Sequence, residues 1–420
     1  MNQRYKLATV FLVVLIDLMG FGLVLPLLPF YAKEFQASAV TVGLLYSVYS
    51  FAQLIFSPIW GSYSDRVGRR PIMLLSTFGA VIGYVMFGLA NSLFILFASR
   101  IIAGIMGGNI STAQAYIADI TSEGERAKGM GMIGAAFGIG FVIGPALATG
   151  LIHESFYGFI GRFGFPETAA LLQANKFMLP GFFAAFMSLL SFLLVLVKLP
   201  ETVDTSADTS RREKRHSVFT PTFWKKLQQY SHADARGILI SLLIAFFVLT
   251  FGQSTLYSAF PLFSEQELGM TAQEVGVQFF WIGLIAVFIQ GYLIRYLTHW
   301  FQEEHVFLVG CGLMAVGMGL IPLADSVWTL AAYLGILAVG HSLNTPTIMS
   351  LISQESGEES YGAVMGSAQG LSGLGRMVGP TWGGFLFAYA AGLPFYINAV
   401  IIASLFYVGI RIKQNLRPNK

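Results

Sequence analysis

Asp17 stands about ten residues into an apolar run that extends from Leu7 to Pro29. In a helix rising 1.5 Å per residue, that depth places the carboxylate near the middle of a bilayer. An ionised carboxylate costs about 3 kcal/mol at the centre of a membrane helix, even on the lenient insertion scale. A carboxyl group balanced between that desolvation and a nearby cation can gain and lose a proton during a working cycle. The bland alternative is a static buried ion pair. Arg100 lies roughly six residues inside the outer end of the fourth apolar run. It either tunes Asp17, directly or through water, or bonds to helix carbonyls.

The second half of the chain holds two further unusual groups, His341 and Arg376, each inside an apolar run. Histidine changes charge close to physiological pH, so His341 is a second proton-site candidate, and equally a neutral hydrogen-bonding side chain. Arg376 could hold a negative group of a substrate or be neutralised by the end of a broken helix. Tyr46, Tyr49, Gln53, Asn109, Gln114, Gln253, Tyr257, Gln290, Asn344 and Gln369 complete the polar and aromatic set. Taken singly, each is glue between helices. As a group they describe a partly polar, aromatic cavity suited to an amphipathic organic molecule.

The elements that must position these residues are membrane helices. Hydrophobic residues make up 55% of the 420 and charged residues 11%, against roughly 25% charged in a soluble domain. Apolar stretches repeatedly reach the ~20 residues that a helix needs to cross a bilayer. Twelve spans are expected, at approximately 7–29, 42–61, 71–90, 94–118, 129–151, 176–198, 237–258, 272–297, 304–324, 327–353, 362–390 and 393–411. The first run contains Asp17 and lacks a small-residue cleavage site, so it reads as a retained helix, not a signal peptide.

An even number of spans puts both termini on one side, and the excess of Lys and Arg makes that side cytoplasmic. Arg4, Lys6, Arg66, Arg69, Arg70, Arg126, Lys128, Arg295 and Arg411 then lie inside, against Lys33, Arg162 and Lys176 outside. The polar stretch from Pro200 to Arg236 reads as a cytoplasmic linker, with a surface helix near Trp224. It divides the chain into six-helix halves at 1–199 and 237–420, with 200–236 between them. The outer stretch from Phe165 reads as a short capped interfacial helix.

The halves are related. At an offset of 235 residues, Asn109, Thr112, Glu123, Gly131, Gly138, Gly140, Gly144 and Pro145 meet Asn344, Thr347, Glu358, Gly366, Gly373, Gly375, Gly379 and Pro380. Span one is echoed in span seven by Pro29 and Pro261, Glu34 and Glu267, and Val42-Gly43 and Val275-Gly276. Parallel six-helix repeats about an axis along the membrane normal are a transporter architecture, with substrate held near mid-membrane.

Between spans two and three runs Gly61-Ser-Tyr-Ser-Asp65-Arg66-Val-Gly68-Arg69-Arg70-Pro71. A topology-fixing basic turn would need only the arginines, not Gly61, Asp65 and Gly68 at this spacing. On span five, Gly138, Gly140, Gly144, Pro145 and Gly150 provide small residues and a proline, for packing and for a hinge. Gly61-x-x-x-Asp65-Arg66-x-Gly68-Arg69-Arg70 resembles the signature loop of the major facilitator superfamily. Ser99-Arg100-Ile-Ile-Ala-Gly104-Ile-Met-Gly-Gly108 is similar to that superfamily's helix-four motif. Gly140-Phe-Val-Ile-Gly144-Pro145-Ala-Leu-Ala-Thr-Gly150 resembles the helix-five motif of proton-driven antiporters. Asp17-Leu-Met-Gly20-Phe-Gly22-Leu-Val-Leu-Pro26-Leu-Leu-Pro29 and Tyr116-Ile-Ala-Asp119-Ile-Thr look like the tetracycline-efflux branch of the twelve-helix drug:proton antiporters.

The resemblance implies an all-α polytopic fold of two six-helix halves related by a pseudo-two-fold axis. It also implies a proton-driven antiporter that exports a small amphipathic compound or drug by alternating access. Asp17, Arg100 and His341 are then the expected proton-coupling groups. Gly61, Asp65, Arg66, Gly68, Arg69, Arg70, Gly140, Gly144 and Pro145 would serve gating. Tyr46, Tyr49, Gln53, Asn109, Gln253, Tyr257, Gln290, Asn344, Gln369 and Arg376 would contact substrate. Tetracycline exporters also carry a helix-eight histidine, which Ile285-Ala286-Val287 lacks here; that counts against tetracycline as the cargo.

Two alternatives stay open: transport of a lipid-like or anionic metabolite, uptake included, and a non-transporting membrane receptor. An enzyme is not expected, since the six histidines and the single Cys311 form no ligand-spaced or nucleophile–base cluster. The absence of a P-loop argues against ATP-driven transport. The expected partners are a small-molecule substrate, protons and membrane lipids, with no nucleic acid, metal or cofactor. A monomer in a bacterial inner membrane is the expected setting.

Overall fold

Long apolar runs with no water partner for their backbone fold as helices, because a helix satisfies its own amide and carbonyl groups. The computed structural model describes residues 3–162, 166–203, 236–356 and 361–416, excluding the side chains of 123–128, 236, 361–363 and 411–416. The expected helix near Trp224 lies outside the described residues. In chain order the helices are α1 (Gln3–Glu34), α2 (Ala39–Val67), α3 (Arg69–Gly88), α4 (Leu93–Met106), α5 (Asn109–Ile120), α6 (Glu123–Leu151), α7 (Glu154–Arg162), α8 (Pro166–Ala174) and α9 (Met178–Lys198). After the linker come α10 (Arg236–Leu268), α11 (Ala272–Phe288), α12 (Ile294–Trp300), α13 (Glu303–Leu320), α14 (Val327–Glu355), α15 (Tyr361–Tyr389) and α16 (Leu393–Leu416). No strand occurs among the described residues.

Three local departures from the expected spans matter. The basic turn after span two is a single residue: α2 continues through Asp65 to Val67, and α3 starts at Arg69. Span four is interrupted at Gly107-Gly108, between α4 and α5. Span eight widens into a π-helical segment, Ile289–Leu293, that joins α11 to α12. The outer stretch from Phe165 forms the expected short helix, α8, and a further short helix, α7, precedes it.

Among the described residues, eleven helices are long and apolar enough to cross a membrane, with Leu93–Ile120 and Ala272–Trp300 each counted as one. The remaining expected span, α15, has the length at 29 residues. Its Ser367, Gln369, Ser372, Arg376 and Thr381, together with its glycines, dilute the apolar content.

The chain forms two compact units. The first comprises Met1–Ala37, Val48–Arg215 and Met270–Phe280; the second comprises Ser38–Ser47, His216–Gly269 and Trp281–Lys420. In the first, α1 and α6 meet at backbone distance. A Cβ added at Gly22 would lie 2.9 Å from the Gly140 carbonyl oxygen, and one at Gly144 would lie 2.7 Å from the Met19 carbonyl oxygen. Below this seam, Val10, Val13, Val14 and Leu18 bury against Met73, Tyr116, Ile133 and Val195.

In the second unit α10 and α15 pair in the same way. A Cβ at Gly375 would lie 2.9 Å from the Phe251 amide nitrogen, and one at Gly383 would lie 2.9 Å from the Thr255 carbonyl oxygen. Here the seam also carries hydrogen bonds. Ser254 donates to the Gly375 carbonyl (2.9 Å), Thr255 to that of Gly379 (3.1 Å) and Ser258 to that of Pro380 (2.8 Å). Small residues permit close approach, and the hydroxyls occupy carbonyls that face no water.

Gly144→Ala is expected to destabilise by about 1–3 kcal/mol, because only backbone surrounds the added methyl group. Gly150 on the same helix has nothing within 4 Å of its would-be Cβ, so Gly150→Ala is expected to change stability by less than about 0.5 kcal/mol. Thermal unfolding of the two variants in one detergent distinguishes them.

Candidate functional site

The interruption of span four is built by glycines. Gly104 lets α4 sit on α2 with a would-be Cβ only 2.9 Å from Ala52, and Gly108 brings the chain against Ser57 and Trp60. Breaking a helix frees carbonyls, and α2 supplies donors for them. Trp60 Nε1 donates to the Ile105 carbonyl at 2.6 Å, and Gln53 Nε2 donates to that of Gly107 at 3.1 Å. Gln53, expected to face substrate, therefore spends its amide on the break. The Tyr49 hydroxyl lies 3.5 Å from the same amide nitrogen, and the Tyr49 ring stacks on Phe21 at 5.0 Å.

The break sets Asn109 at the start of α5, where it is buried and its Nδ2 donates to Oδ2 of Asp17. Asp17 Oδ1 and Asn109 Oδ1 are both buried without a hydrogen-bond partner among the described residues. A primary amide offers donors and an acceptor. It can therefore donate to the carboxylate or accept from the protonated acid.

Tyr84 is the residue that sequence reasoning missed. Its phenol lies flat on Gly20, three residues beyond Asp17 on α1; a Cβ at Gly20 would meet the ring carbon bearing the hydroxyl at 2.7 Å. Gly83, its neighbour, backs onto Ala103 and the Ser99 carbonyl of α4. One turn along α3, the Phe87 ring carries the Arg100 guanidinium at 4.9 Å from its centroid, and Arg100 Nε donates to Ser99 Oγ at 3.4 Å. Tyr84 is within electrostatic reach of Tyr49, Arg100 and Asp17. Helix α3 thus carries both the phenol against Gly20 and the ring that packs on Arg100. A tyrosine in an apolar run gives no signal by itself. The available clue was the absence of a side chain at Gly20, one turn from the carboxylate.

The signature loop is organised by Arg69, which is buried. Its guanidinium pairs with Asp65 one turn away on α2. It also donates through Nε to Asp119 Oδ2 (3.0 Å) and through Nη1 to Ser64 Oγ (2.6 Å). Arg66 is exposed, and Arg70 Nη2 donates to the Leu196 carbonyl at the end of α9 (2.7 Å). Asp65 is therefore one of two carboxylates on Arg69.

A third acid, Glu201, was read only as linker. Its Oε1 accepts from the Arg69 amide at 2.8 Å and its Oε2 from the Arg70 amide at 3.1 Å. It also accepts from the amides of Thr202 and Val203. The carboxylate caps the open N-terminus of α3 from 132 residues away, where helix dipole and free amides favour an anion. Gly68 has φ 111°, and the Glu201 carboxylate occupies the place of its missing Cβ. Both facts demand glycine. Thr202 Oγ1 donates to Asp119 (3.0 Å) and the Tyr116 hydroxyl to the Pro200 carbonyl (3.0 Å).

In the second unit the expected residues are dispersed. His341 Nε2 lies 3.4 Å from Thr345 Oγ1 one turn on, and its Nδ1 is buried without a partner among the described residues. Asn344, the 235-offset mate of Asn109, is 1% exposed and accepts from the Cys311 thiol at 3.8 Å. It stands on α14 where that helix meets α13. Arg376 Nη1 donates to Ser372 Oγ at 2.7 Å and is within electrostatic reach of Tyr257. Gln253 and Gln290 are half-buried, Gln369 is exposed, and Tyr46 is buried.

The family model of the Major Facilitator Superfamily matches residues 10–380, and a second match covers 296–420. The chain belongs to the Major Facilitator Superfamily. Similar proteins include the class E tetracycline resistance protein of Escherichia coli, 30% identical over 97% of this chain and 96% of that one. Multidrug resistance protein 2 of Bacillus subtilis (strain 168) is 28% identical over 94% of each chain. Among solved structures, the human organic anion transporter superposes with TM-score 0.70 and 25% identity, over 97% of this chain and 100% of that one.

This Major Facilitator Superfamily chain is therefore an integral multi-pass membrane protein of a transporter family, with tetracycline- and multidrug-resistance relatives. Replacing the Glu201 cap tests the loop geometry. Glu201→Ala is expected to cost about 0.5–2 kcal/mol, the usual range for losing a helix cap. Gly68→Ala should be at least as damaging, and Glu201→Gln milder. Thermal unfolding reads all three.

Proposed function

We propose that this protein is a proton-coupled antiporter exporting an amphipathic organic compound, with Asp17 as the group that carries the proton. The observation behind the reading is a carboxylate in mid-span, held by Asn109 at the helix break, with Tyr84 and Arg100 nearby. The Asn109 amide donates to the ionised carboxylate and can accept from the protonated acid, so the site serves both protonation states. Substrate binding to the protonated state displaces the proton from Asp17; protonation after substrate departure resets the cycle. Alternating access between two six-helix halves then couples the two fluxes. The resistance named in the tetracycline and multidrug relatives fits export of a compound better than its uptake.

A second reading keeps the fold and changes the cargo to an organic anion. It is favoured by the half-buried Arg376 and by similarity to the human organic anion transporter. Exchange measurements in proteoliposomes with a lipophilic cation such as ethidium and with a lipophilic carboxylate separate the two. If Arg376→Gln abolishes exchange of the carboxylate and leaves cation exchange intact, the anion reading stands.

For the coupling assignment, addition of an exchanged compound to the detergent-solubilised protein is expected to release protons. Asp17→Asn should release none and should lose transport driven by a pH gradient. Release at the parent level from Asp17→Asn would sink the assignment.

Tyr84→Phe keeps the ring on Gly20 and removes only the hydroxyl. The hydroxyl lies within electrostatic reach of Asp17, so the pH profile of proton release is expected to change. The charged and titratable groups within reach are Asp17 on α1, Tyr49 on α2 and Arg100 on α4. The charged residues of α6 lie in its first turns, and α9 carries only Lys198, in its last turn. An unchanged pH profile in Tyr84→Phe means that the hydroxyl has no part in coupling.

A further inference from the structure

The span formed by α11, the π segment and α12 is the least buried of the eleven, with 22% of its apolar window buried. Its exposed surface carries an aromatic column, Phe288, Tyr292, Tyr296 and Trp300, whose exposures run from 40% to 77%. Four-residue spacing on an ideal α-helix drifts by about 40° per step. The π segment, with about one more residue in its turn, reverses that drift where it is inserted. The rings consequently stay in contact, Phe288 with Tyr292 at 5.9 Å and Tyr292 with Tyr296 at 5.2 Å.

Arg295 is laid across this column. Its guanidinium lies 5.7 Å from the Tyr292 centroid and 4.7 Å from that of Tyr296, and its Nη2 donates to the Tyr296 hydroxyl at 2.7 Å. Among the described residues it makes no ion pair with a carboxylate. Glu303, an acid close by in sequence, accepts instead from Ser350 (2.9 Å) and Gln354 (3.0 Å) of α14. A guanidinium fixed over two rings keeps its remaining N–H groups for a pair of anionic oxygens, such as those of a phosphate. Tyr and Trp side chains prefer the headgroup level of a bilayer. The excess of Lys and Arg assigns this end of the span to the cytoplasmic leaflet, where acidic lipids concentrate.

We propose that Arg295, with Tyr292, Tyr296 and Trp300, forms a binding site for the phosphate of an acidic phospholipid, seated against the lipid-facing surface of α12. The aromatic column takes the upper acyl chain and glycerol, and Arg295 takes the phosphate. The site is independent of the cargo and of proton coupling.

Native mass spectrometry of the full-length protein, titrated with phosphatidylglycerol or with phosphatidylcholine, tests it. The parent protein is expected to retain phosphatidylglycerol in preference to phosphatidylcholine. Arg295→Gln should reduce phosphatidylglycerol retention at least three-fold with phosphatidylcholine adducts unchanged. Arg295→Lys should fall between, since an ammonium keeps the charge without the bidentate fork. Arg162→Gln, at an exposed arginine of α7, should behave as the parent. Equal retention of the two lipids by the parent, or a parent-like preference in Arg295→Gln, overturns the proposal.

Discussion

Inside a helical membrane bundle, a carbonyl that loses its helical partner has no water to turn to, and each such group left unpaired costs several kcal/mol. The interruption at Gly107-Gly108 creates that problem in the first unit, and the packing of α2 solves it. Trp60 and Gln53 are spent on the freed carbonyls of Ile105 and Gly107. The gain is positional. A continuous helix would carry Asn109 past α1 at a different rotation, whereas the break starts α5 with Asn109 against Asp17. Asp17, Asn109, Gln53 and Trp60 therefore form one dependent set, in which the carboxylate is held by an element that exists only because other side chains tolerate its defect.

The loop after α2 follows the same logic at the membrane edge. A one-residue turn between two helices leaves the N-terminus of α3 without a local cap, since Gly68 has no side chain to offer. Glu201 supplies the missing acceptor, and Arg69 is held between Asp65 and Asp119. Positive φ at Gly68 and the presence of Glu201 beside it are one requirement seen twice. The ends of α2, α3, α5 and α9 are tied through this cluster, so a shift of one end must break several charge-assisted hydrogen bonds. Such a cluster suits a latch with two discrete arrangements, not a gradual hinge.

Much of this was legible in the chain itself. Hydropathy located eleven of the twelve expected spans, because lipid imposes a length and an apolarity that composition alone reveals. The twelfth, α15, escapes the hydropathy test because its face toward α10 is made of glycines that permit backbone contact. The depth of Asp17 and the spacing of the signature loop were equally readable. Tyr84 and Glu201 were not, since each acts on a partner distant in sequence, Gly20 and Gly68, where the informative feature is a missing side chain. The surroundings of Asn344 were not legible for a related reason. Its match with Asn109 was sound, but the residue it meets, Cys311, is set by α13.

That last pair shows how the two units divide labour. The 235-offset matches Gly140 with Gly375 and Gly144 with Gly379 are packing residues, and each occupies the corresponding seam, against α1 in one unit and against α10 in the other. At the chemical positions the units diverge. Phe141 is matched by Arg376, and Asn109 meets a carboxylate where Asn344 meets a thiol. The offset that aligns Glu34 with Glu267 aligns Asp17 with Thr250, whose hydroxyl returns to the Phe246 and Phe247 carbonyls of its own helix. A seam built from glycine backbone does not depend on the identity of side chains a turn away. Each unit could therefore retain the contact between its first and fifth spans while acquiring a different charge beside it: a carboxylate in one, a guanidinium in the other.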